Sequence, residues 1–217
     1  METKKQRVFA VSGWRFSGKD TFYKLLKENR ENENVDRVGI ADRLKEMVAA
    51  EFDVPLEAFH DPEQKNRPLM HLPVELDQSN AVEAAIYAWL EREFYHCYNG
   101  RCYWTPRALA IYKGMLNRAV VRNYWIKQLC EKTIPDMFSV DNADIVCVTD
   151  VRFKSEMELL KETFCEQLTT IRIERFDASP SEDSSENDLN DYDFDVYIKN
   201  VGTTKDFENA IFGSGLF

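Results

Sequence analysis

The stretch RVFAVSGWRFSGKDTF, from Arg7 to Phe22, constrains the fold of this chain more than any other part of the sequence. Its first six residues read as a buried strand, the next seven have the spacing Gly-x-x-x-x-Gly-Lys, and apolar residues at helical spacing follow. Glycines let backbone N–H groups point at phosphate oxygens, the helix N-terminus adds its dipole, and the lysine reaches the β- and γ-phosphates. The alternative is a glycine-rich turn between strand and helix that binds nothing. We predict a phosphate-binding loop that holds a nucleotide through Gly13, Ser17, Gly18 and Lys19.

The residue after the lysine departs from the usual pattern of such a loop. Position 20 is Asp20, where a Ser or Thr normally holds magnesium, and Thr21 lies one residue out of register. A carboxylate is also a good magnesium ligand, directly or through a bound water, so both residues stay candidates. Arg15 lies inside the loop, which rarely needs a cation there to hold its own nucleotide. We therefore expect the guanidinium of Arg15 to face a second phosphate, on an acceptor molecule.

Strand and helix patterns alternate along the chain, which indicates an α/β fold with a parallel sheet. The run from Ile145 to Val148 is apolar on both faces, as in a central strand that is buried on both sides. We predict a three-layer α/β/α fold in a single domain, residues 1–217, with a mostly parallel five-stranded sheet and a helical lid or substrate region at about 52–130. The predicted strands are 7–12, 37–40, 145–148, 168–176 and 194–200.

The formal net charge of −10 argues against tight binding to a nucleic-acid polymer, because that affinity rests on neutralised phosphates. A small phosphorylated ligand in a local basic pocket is compatible with this charge. No apolar run approaches the ~20 residues that a membrane span needs, and the N-terminus lacks the apolar stretch of a secretory signal. Five scattered cysteines predict reduced thiols and a cytoplasmic location. The Cys-x4-Cys spacing in HCYNGRC is a weak zinc signal without a second pair.

Six basic residues and no acidic ones lie between Arg101 and Cys130. On a continuous helix Arg107 and Arg118 would share a face, because they are about three turns apart, and Arg122 would lie one turn further. Guanidiniums that converge there would hold the transferring phosphates and neutralise their charge. The alternative is a solvated basic face.

Asp150 follows the most apolar strand, at the end where open α/β sheets bind their ligands. Its carboxylate can orient a magnesium-bound water or accept a hydrogen bond from an acceptor, and Arg152 is near enough to reach a phosphate. The alternative is an Asp/Arg pair that structures the turn between strand and helix. Glu156 is a weaker candidate, since acids near a helix N-terminus are common for dipole reasons alone.

The string Gly-x-Arg-x-Ser-Gly-Lys-Asp-Thr, from Gly13 to Thr21, resembles the loop of bacteriophage deoxynucleoside monophosphate kinases. IADRLKE resembles their second-strand segment, TPRALAIYKG followed by RNYW their Arg-rich helical region, and VTDVRFKSE their strand-end signature. SSEN and DFDVYIKNVG are similar to their C-terminal end. The likeness therefore spans most of the chain in the right order, and it is weakest between Phe52 and Gly100.

The chain also differs from that family. Met115-Leu116 stands where the family often has Thr-Asp, and Val121 stands where it usually has Asp. These differences concern the acceptor contacts and leave the phosphate loop untouched. P-loop phosphomevalonate kinases share the Ser-Gly-Lys-Asp string, so they remain an alternative.

The resemblance implies a P-loop kinase fold and transfer of the γ-phosphoryl group of ATP to a deoxynucleoside monophosphate, with Mg²⁺ as cofactor. Together with the residue arguments above, it assigns catalysis to Lys19, Arg122, Asp150 and Arg152. ATP contacts fall on Gly13, Ser17, Gly18, Lys19, Asp20, Thr21 and Arg118. Acceptor contacts fall on Arg15, Lys45, Arg107, Trp125, Asp150, Arg152 and Glu156. The expected magnesium ligands are Asp20 or Thr21, together with Asp150. Ser185 and Glu186 are further candidates for substrate contacts.

The expected partners are ATP and a deoxynucleoside monophosphate, with neither a nucleic-acid polymer nor a membrane. Whether the protein forms a homodimer is left open. The expected location is the cytoplasm, which is the host cytoplasm if the protein is viral. Two other functions stay open. One is a kinase of another small phosphorylated acceptor, such as phosphomevalonate or a modified nucleotide. The other is a regulatory protein that binds nucleotide without catalysis.

Overall fold

A five-stranded sheet, parallel throughout, forms the centre of the computed structural model. The structure describes residues 5–77, 79–93, 97–98, 101–176 and 187–216. Its strands are β1 (Arg7–Ser12), β2 (Val35–Val38), β3 (Cys97–Tyr98), β4 (Arg101–Cys102), β5 (Ile145–Val148), β6 (Leu168–Arg175) and β7 (Val196–Asn200). The order across the sheet is β2-β5-β1-β6-β7, and β3 and β4 form a separate antiparallel ribbon. The predicted α/β fold with a five-stranded parallel sheet is confirmed.

Helices connect the strands much as the apolar periodicity predicts. They are α1 (Lys19–Glu28), α2 (Ile40–Phe52), α3 (Glu57–His60), α4 (Ala81–Glu93), α5 (Pro106–Val120), α6 (Tyr124–Gln128), α7 (Ile134–Ser139), α8 (Lys154–Phe164) and α9 (Thr204–Phe212). A π-helical turn, Leu129–Thr133, joins α6 to α7. The strand predicted at 37–40 is wrong by two residues, because the chain turns at Gly39 and Ile40 begins α2.

Helices cover both faces of the sheet, as parallel strands require. On one face Phe9 and Val11 of β1 belong to a buried cluster with residues of α1 and α9. Their alternating neighbours Val8 and Ala10 are also fully buried, and α8 contacts both β1 and β6. Because successive strand side chains point to opposite faces, these two sets mark the two sides of the sheet. The predicted three-layer arrangement follows from them.

The central position of β1 determines where a ligand can bind. Ala10 pairs with Val148 of β5, and Ser12 pairs with Arg172 of β6. All five strands are parallel, so their carboxyl ends lie along one edge of the sheet. The loop that follows Ser12 therefore begins between the ends of β5 and β6, where open α/β sheets bind their ligands.

Residues Ala41–Trp125 form a compact unit, and the sheet belongs to another, made of Met1–Ile40 and Ile126–Phe217. Within the smaller unit Thr105 caps α5, since its side chain accepts the N–H of Ala108 at 3.1 Å. Pro106 is the first residue of α5, where its missing N–H costs nothing. The single domain with a helical region at 52–130 stays a prediction.

The cysteines differ in their chemical state. Cys102 is disulfide-bonded, so the prediction of reduced thiols is wrong for this residue. Cys102 lies directly opposite Cys97 in the β3–β4 ribbon, a pairing that the linear spacing did not reveal. Cys130, Cys147 and Cys165 are free, and burial raises the pKa of Cys130 to about 11 and that of Cys147 to about 12. Among the described residues, no helix is both long and apolar enough to cross a membrane.

Candidate functional site

The loop between β1 and α1 has the conformation that its glycines predict. Gly18 adopts a left-handed backbone with φ +104°, and the N–H of Ser17 donates to the carbonyl of Trp14 at 3.0 Å. A Cβ on Gly13 would lie 2.6 Å from the carbonyl oxygen of Ile173, so the loop passes too close to β6 for any side chain there. Phe16 also has positive φ, at +65°, and its side chain is 76% exposed. A bulky residue rarely adopts this conformation, and such outliers concentrate at functional sites.

Lys19 is the first residue of α1, and its ammonium group folds back across the loop. Its Nζ donates to the carbonyl oxygens of Gly13 at 2.6 Å and Trp14 at 2.9 Å. The side chain therefore holds a positive charge over the loop, close to its backbone amides. The hydroxyl of Ser17 is buried without a hydrogen-bond partner in the described part of the chain. Buried hydroxyls are normally bonded, so a ligand oxygen at this place would complete its hydrogen bonding.

Asn200, the last residue of β7, ties the loop to the sheet. Its Nδ2 donates to the carbonyl oxygen of Ser17 at 2.8 Å. A Cβ on Gly18 would lie only 2.5 Å from the same Nδ2. The glycine is therefore needed twice, once for its left-handed φ and once for the close approach of Asn200. Sequence reasoning missed Asn200, although its place at the end of a predicted strand was a usable signal.

Arg37 of β2 connects the start of α1 to the end of β5. Its Nε donates to Oγ1 of Thr149 at 2.9 Å and lies 3.5 Å from Oδ1 of Asp20. Thr149 is buried, whereas the Asp20 side chain is 80% exposed and can reach solvent or a ligand. The guanidinium thus offsets part of the negative charge that Asp20 adds beside the loop. Sequence reasoning missed Arg37; its signal was a charged residue within a predicted strand.

Asp150 lies two residues beyond the end of β5, and one of its carboxylate oxygens is already engaged. Oδ1 accepts the N–H of Ile40 at 2.6 Å. Ile40 begins α2, where the first N–H groups have no partner within the helix. Asp150 therefore acts as a cap in this structure, and its predicted role toward magnesium or an acceptor stays a prediction.

Glu156 lies at the N-terminus of α8 and is buried. Its Oε2 accepts the backbone N–H groups of Arg152 at 3.0 Å and Phe153 at 3.1 Å. This is helix capping, the structural alternative that the sequence suggested for this acid. The side chain of Arg152 is exposed, so its guanidinium has access to solvent. Substrate contacts by Glu156 and Arg152 remain predictions.

The smaller unit carries the other predicted acceptor and ATP contacts. Lys45 of α2 lies with its Nζ 3.3 Å from Oδ1 of Asp42. Arg107 in the first turn of α5 and Arg118 in its last turn are both exposed. The shared helical face of these two arginines is compatible with the observed bounds of α5.

The helix does not continue to Arg122, which corrects one expectation. α5 ends at Val120, Val121 is extended with φ −132°, and Asn123 has φ +61°. The prediction that Arg122 lies one turn further along the same helix is wrong, because the backbone leaves the helical conformation at Val121 and α6 begins only at Tyr124. Trp125, a predicted acceptor contact, is only 3% exposed, so its ring presents almost no surface to a ligand. Ser185 and Glu186 lie outside the described residues.

No protein-family model matches the sequence, and no curated protein sequence matches it. A dephospho-CoA kinase from Campylobacter jejuni is similar in structure at 13% identity and a TM-score of 0.44, over 96% of this chain and 95% of that chain. The protein TT1252 from Thermus thermophilus is similar at 14% identity and a TM-score of 0.44, over 97% and 96% of the two chains.

Proposed function

We propose that this protein is a P-loop kinase that transfers the γ-phosphoryl group of ATP to a deoxynucleoside monophosphate. One observation carries the proposal: the loop from Gly13 to Lys19 follows the central strand, opens a helix, and holds the Lys19 ammonium over its own carbonyls. Glycine-framed loops of this kind bind phosphate through backbone N–H groups and the helix dipole. The resemblance of the loop sequence supports the finer assignment of the acceptor.

In this proposal the chain's own groups position and neutralise the phosphates. Lys19 exchanges its two carbonyl acceptors for phosphate oxygens of ATP, which are stronger acceptors because they are charged. The unpartnered hydroxyl of Ser17 and the amides after Gly13 complete the cradle. Phosphoryl transfer needs little covalent work from the protein, so positioning and charge neutralisation supply most of the rate.

The residues present fit a magnesium ion that is shared with the nucleotide. No group of three His, Cys, Asp or Glu side chains able to hold a metal occurs within the described residues. Magnesium at kinase sites is held by one or two carboxylates together with phosphate oxygens and waters. The exposed Asp20, next to Lys19, is the carboxylate with the freest access, and Asp150 is the second candidate. The ion would neutralise charge on the transferring phosphates.

The acceptor phosphate is assigned to cations outside the donor cradle. Arg15 is exposed in the loop with its Cζ 4.8 Å from the centre of the Phe16 ring, and its guanidinium can turn toward a second phosphate. Lys45 and Arg107 are proposed to contact the same phosphate, and Arg122 and Arg118 to neutralise the transferring group. These four roles rest on the family resemblance and on their exposure or charge.

A panel of acceptors tests the proposal against its two alternatives. Purified protein, ATP and Mg²⁺ are incubated with each deoxynucleoside monophosphate, with phosphomevalonate and with dephospho-CoA, and ADP release is measured. We expect release that depends on at least one deoxynucleoside monophosphate and exceeds that with the other acceptors. Release with phosphomevalonate or dephospho-CoA alone would identify another small-molecule kinase. ATP binding without acceptor-dependent release would identify a nucleotide-binding regulatory protein.

Arg15→Ala should separate acceptor binding from ATP binding. We expect the apparent KM for the acceptor to rise about tenfold or more, because a hydrogen bond to a charged group is worth about 1.5–3 kcal/mol. The KM for ATP should change by less than about twofold on the same scale. Arg67→Ala is the matched control, since Arg67 is also exposed and forms a surface ion pair with Glu63. Equal effects of Arg15→Ala on both substrates would refute the assigned role.

A further inference from the structure

A cavity of the size of a small-molecule site lies within the unit that contains the five-stranded sheet. Its volume is about 680 Å³, and its walls come from the loop, from the ends of β6 and β7, and from the segment that precedes β7. Clefts of 300–1,000 Å³ are typical for small organic ligands. The residues that matter for its chemistry are Trp14, Arg172, Arg175, Phe194, Tyr197 and Lys199.

Arg172 supplies a buried positive charge to this cavity. The residue is only 7% exposed. Its guanidinium donates to Oγ of Ser12 at 3.2 Å and to Oδ1 of Asn190 at 3.0 Å, and both acceptors are uncharged. Among the residues that the structure describes, no carboxylate lies within ion-pair distance of it. Buried charges are normally paired, so an unpaired buried guanidinium is a reason to look for an anionic ligand.

The bonding capacity of Arg172 is only partly used. A guanidinium has five N–H donors, and the two bonds to Ser12 and Asn190 leave others available. Its Cζ lies 5.6 Å from the ring centre of Trp14 and 5.8 Å from that of Phe194. Burial lowers the pKa of Arg172, and Glu174 and Tyr197 oppose this shift; an arginine nevertheless stays charged in proteins.

Aromatic side chains form an adjoining wall. Phe194 contacts Tyr192 edge to face at 4.9 Å and Tyr197 at 5.8 Å between ring centres. The indole N–H of Trp14 is buried without an acceptor in the described part of the chain. Aromatic surface suits a planar ring, and the unsatisfied indole N–H suits a ligand that carries hydrogen-bond acceptors.

The charges at the rim have the same sign as Arg172. Among the described residues that line the cavity, Arg175 and Lys199 are exposed cations and Glu174 is the one acid. The formal net charge of the whole chain is −10, so this local excess of cations has the opposite sign. It favours a ligand with negative charge and disfavours a neutral one.

We propose that this cavity is a second binding site, separate from the phosphate cradle at Lys19, for a mononucleotide whose phosphate meets Arg172 and whose base lies against the aromatic wall. Inorganic phosphate would fill only a small part of the volume and would leave the rings uncovered. A nucleic-acid polymer is opposed by the net charge of the whole chain. Trp14 belongs to the loop between β1 and α1 and also lines the cavity, so the cavity adjoins that loop.

The test is a binding measurement that requires no turnover. AMP is titrated by calorimetry into wild type, Lys199→Glu, Lys161→Glu and Arg15→Ala. Lys199 and Lys161 are both exposed lysines, but only Lys199 lines the cavity. We expect Lys199→Glu to weaken AMP binding about tenfold, because reversing a charge beside a phosphate turns attraction into repulsion. Lys161→Glu should bind as wild type does, and Arg15→Ala should weaken AMP binding less than Lys199→Glu does.

Three results would overturn the proposal. They are the absence of AMP binding to wild type, equal binding by the Lys199→Glu and Lys161→Glu variants, and loss of binding in Arg15→Ala, which would put AMP at the loop. Arg172→Lys gives a second measurement, since it keeps the charge and removes the planar fork of donors. Its thermal unfolding is compared with wild type before binding is measured. A folded Arg172→Lys variant with unchanged affinity would make Arg172 a structural residue only. Because none of these readouts uses catalysis, they fail or succeed independently of the proposed kinase activity.

Discussion

Replacing Lys19 by alanine should lower the rate of phosphoryl transfer by at least about 100-fold, as the loss of a charge-stabilising donor does in other enzymes. The ammonium group is the cation that stands over the loop, where it bonds the carbonyls of Gly13 and Trp14. Without it the developing charge on the transferring phosphate has one fewer partner. The measurement is acceptor-dependent ADP release under saturating ATP and acceptor, with substrate titrations to separate kcat from KM.

The fold should tolerate this change. The two carbonyls that Lys19 bonds belong to a half-buried loop, so water can replace the ammonium group, and no buried contact is lost. Lys24→Ala is the matched control, because Lys24 is an exposed lysine on the same helix. Circular dichroism and thermal unfolding of both variants should match wild type. Transfer at the wild-type rate by a folded Lys19→Ala variant would end the proposed mechanism.

Gly18→Ala should destabilise the protein and weaken ATP binding together. The native φ of +104° is strained for any residue with a Cβ, and that Cβ would lie 2.5 Å from Nδ2 of Asn200. We expect the free energy of unfolding to fall by about 1–3 kcal/mol, which lowers Tm by about 2–4 °C per kcal/mol in a chain of this size. Affinity for ATP should fall because the bond from Asn200 to Ser17, 2.8 Å long, would have to shift.

Two further variants separate the causes of this effect. Gly215 also has positive φ, at +78°, but a Cβ there would meet nothing within 4 Å. Gly215→Ala therefore reports the cost of the backbone conformation alone, because it adds no clash and Gly215 lies outside the loop between β1 and α1. Asn200→Ala combined with Gly18→Ala relieves the clash and leaves the strain. If Gly18→Ala unfolded no earlier than Gly215→Ala and bound ATP normally, the close approach of Asn200 would be unimportant.

The smaller unit shows where pattern reasoning works and where it fails. Thr105 caps α5 and Pro106 is its first residue, which are local signals because capping and the fixed φ of proline act within a few residues. The end of α5 at Val120 was missed, since no glycine or proline marks it and the residues beyond it are compatible with a helix. Arg122 was therefore assigned to the wrong element. Trp125 was assigned to a ligand although it is buried, because an aromatic residue reads alike in a core and in a binding site.

The sequence alone determined the glycine-framed loop between β1 and α1 and the strands that support it. Their signals are local: the spacing of Gly13, Gly18 and Lys19, and the unbroken apolar run of β5. Backbone sterics and strand periodicity act over a few residues, so they can be read from a short stretch.

Only the tertiary structure decided which distant residues meet the loop. Asn200 lies 183 positions beyond Ser17, the carbonyl of which it bonds, and Arg172 lies 160 positions beyond Ser12. Arg37 approaches Asp20 and Thr149 because β2 is placed beside β5 in the sheet. Strand order and register arise from packing many side chains at once, and no local pattern encodes them. For that reason the loop could be predicted from the sequence. The hydrogen bond from Asn200 to the loop, the ion pair between Asp20 and Arg37, and the burial of Arg172 could not.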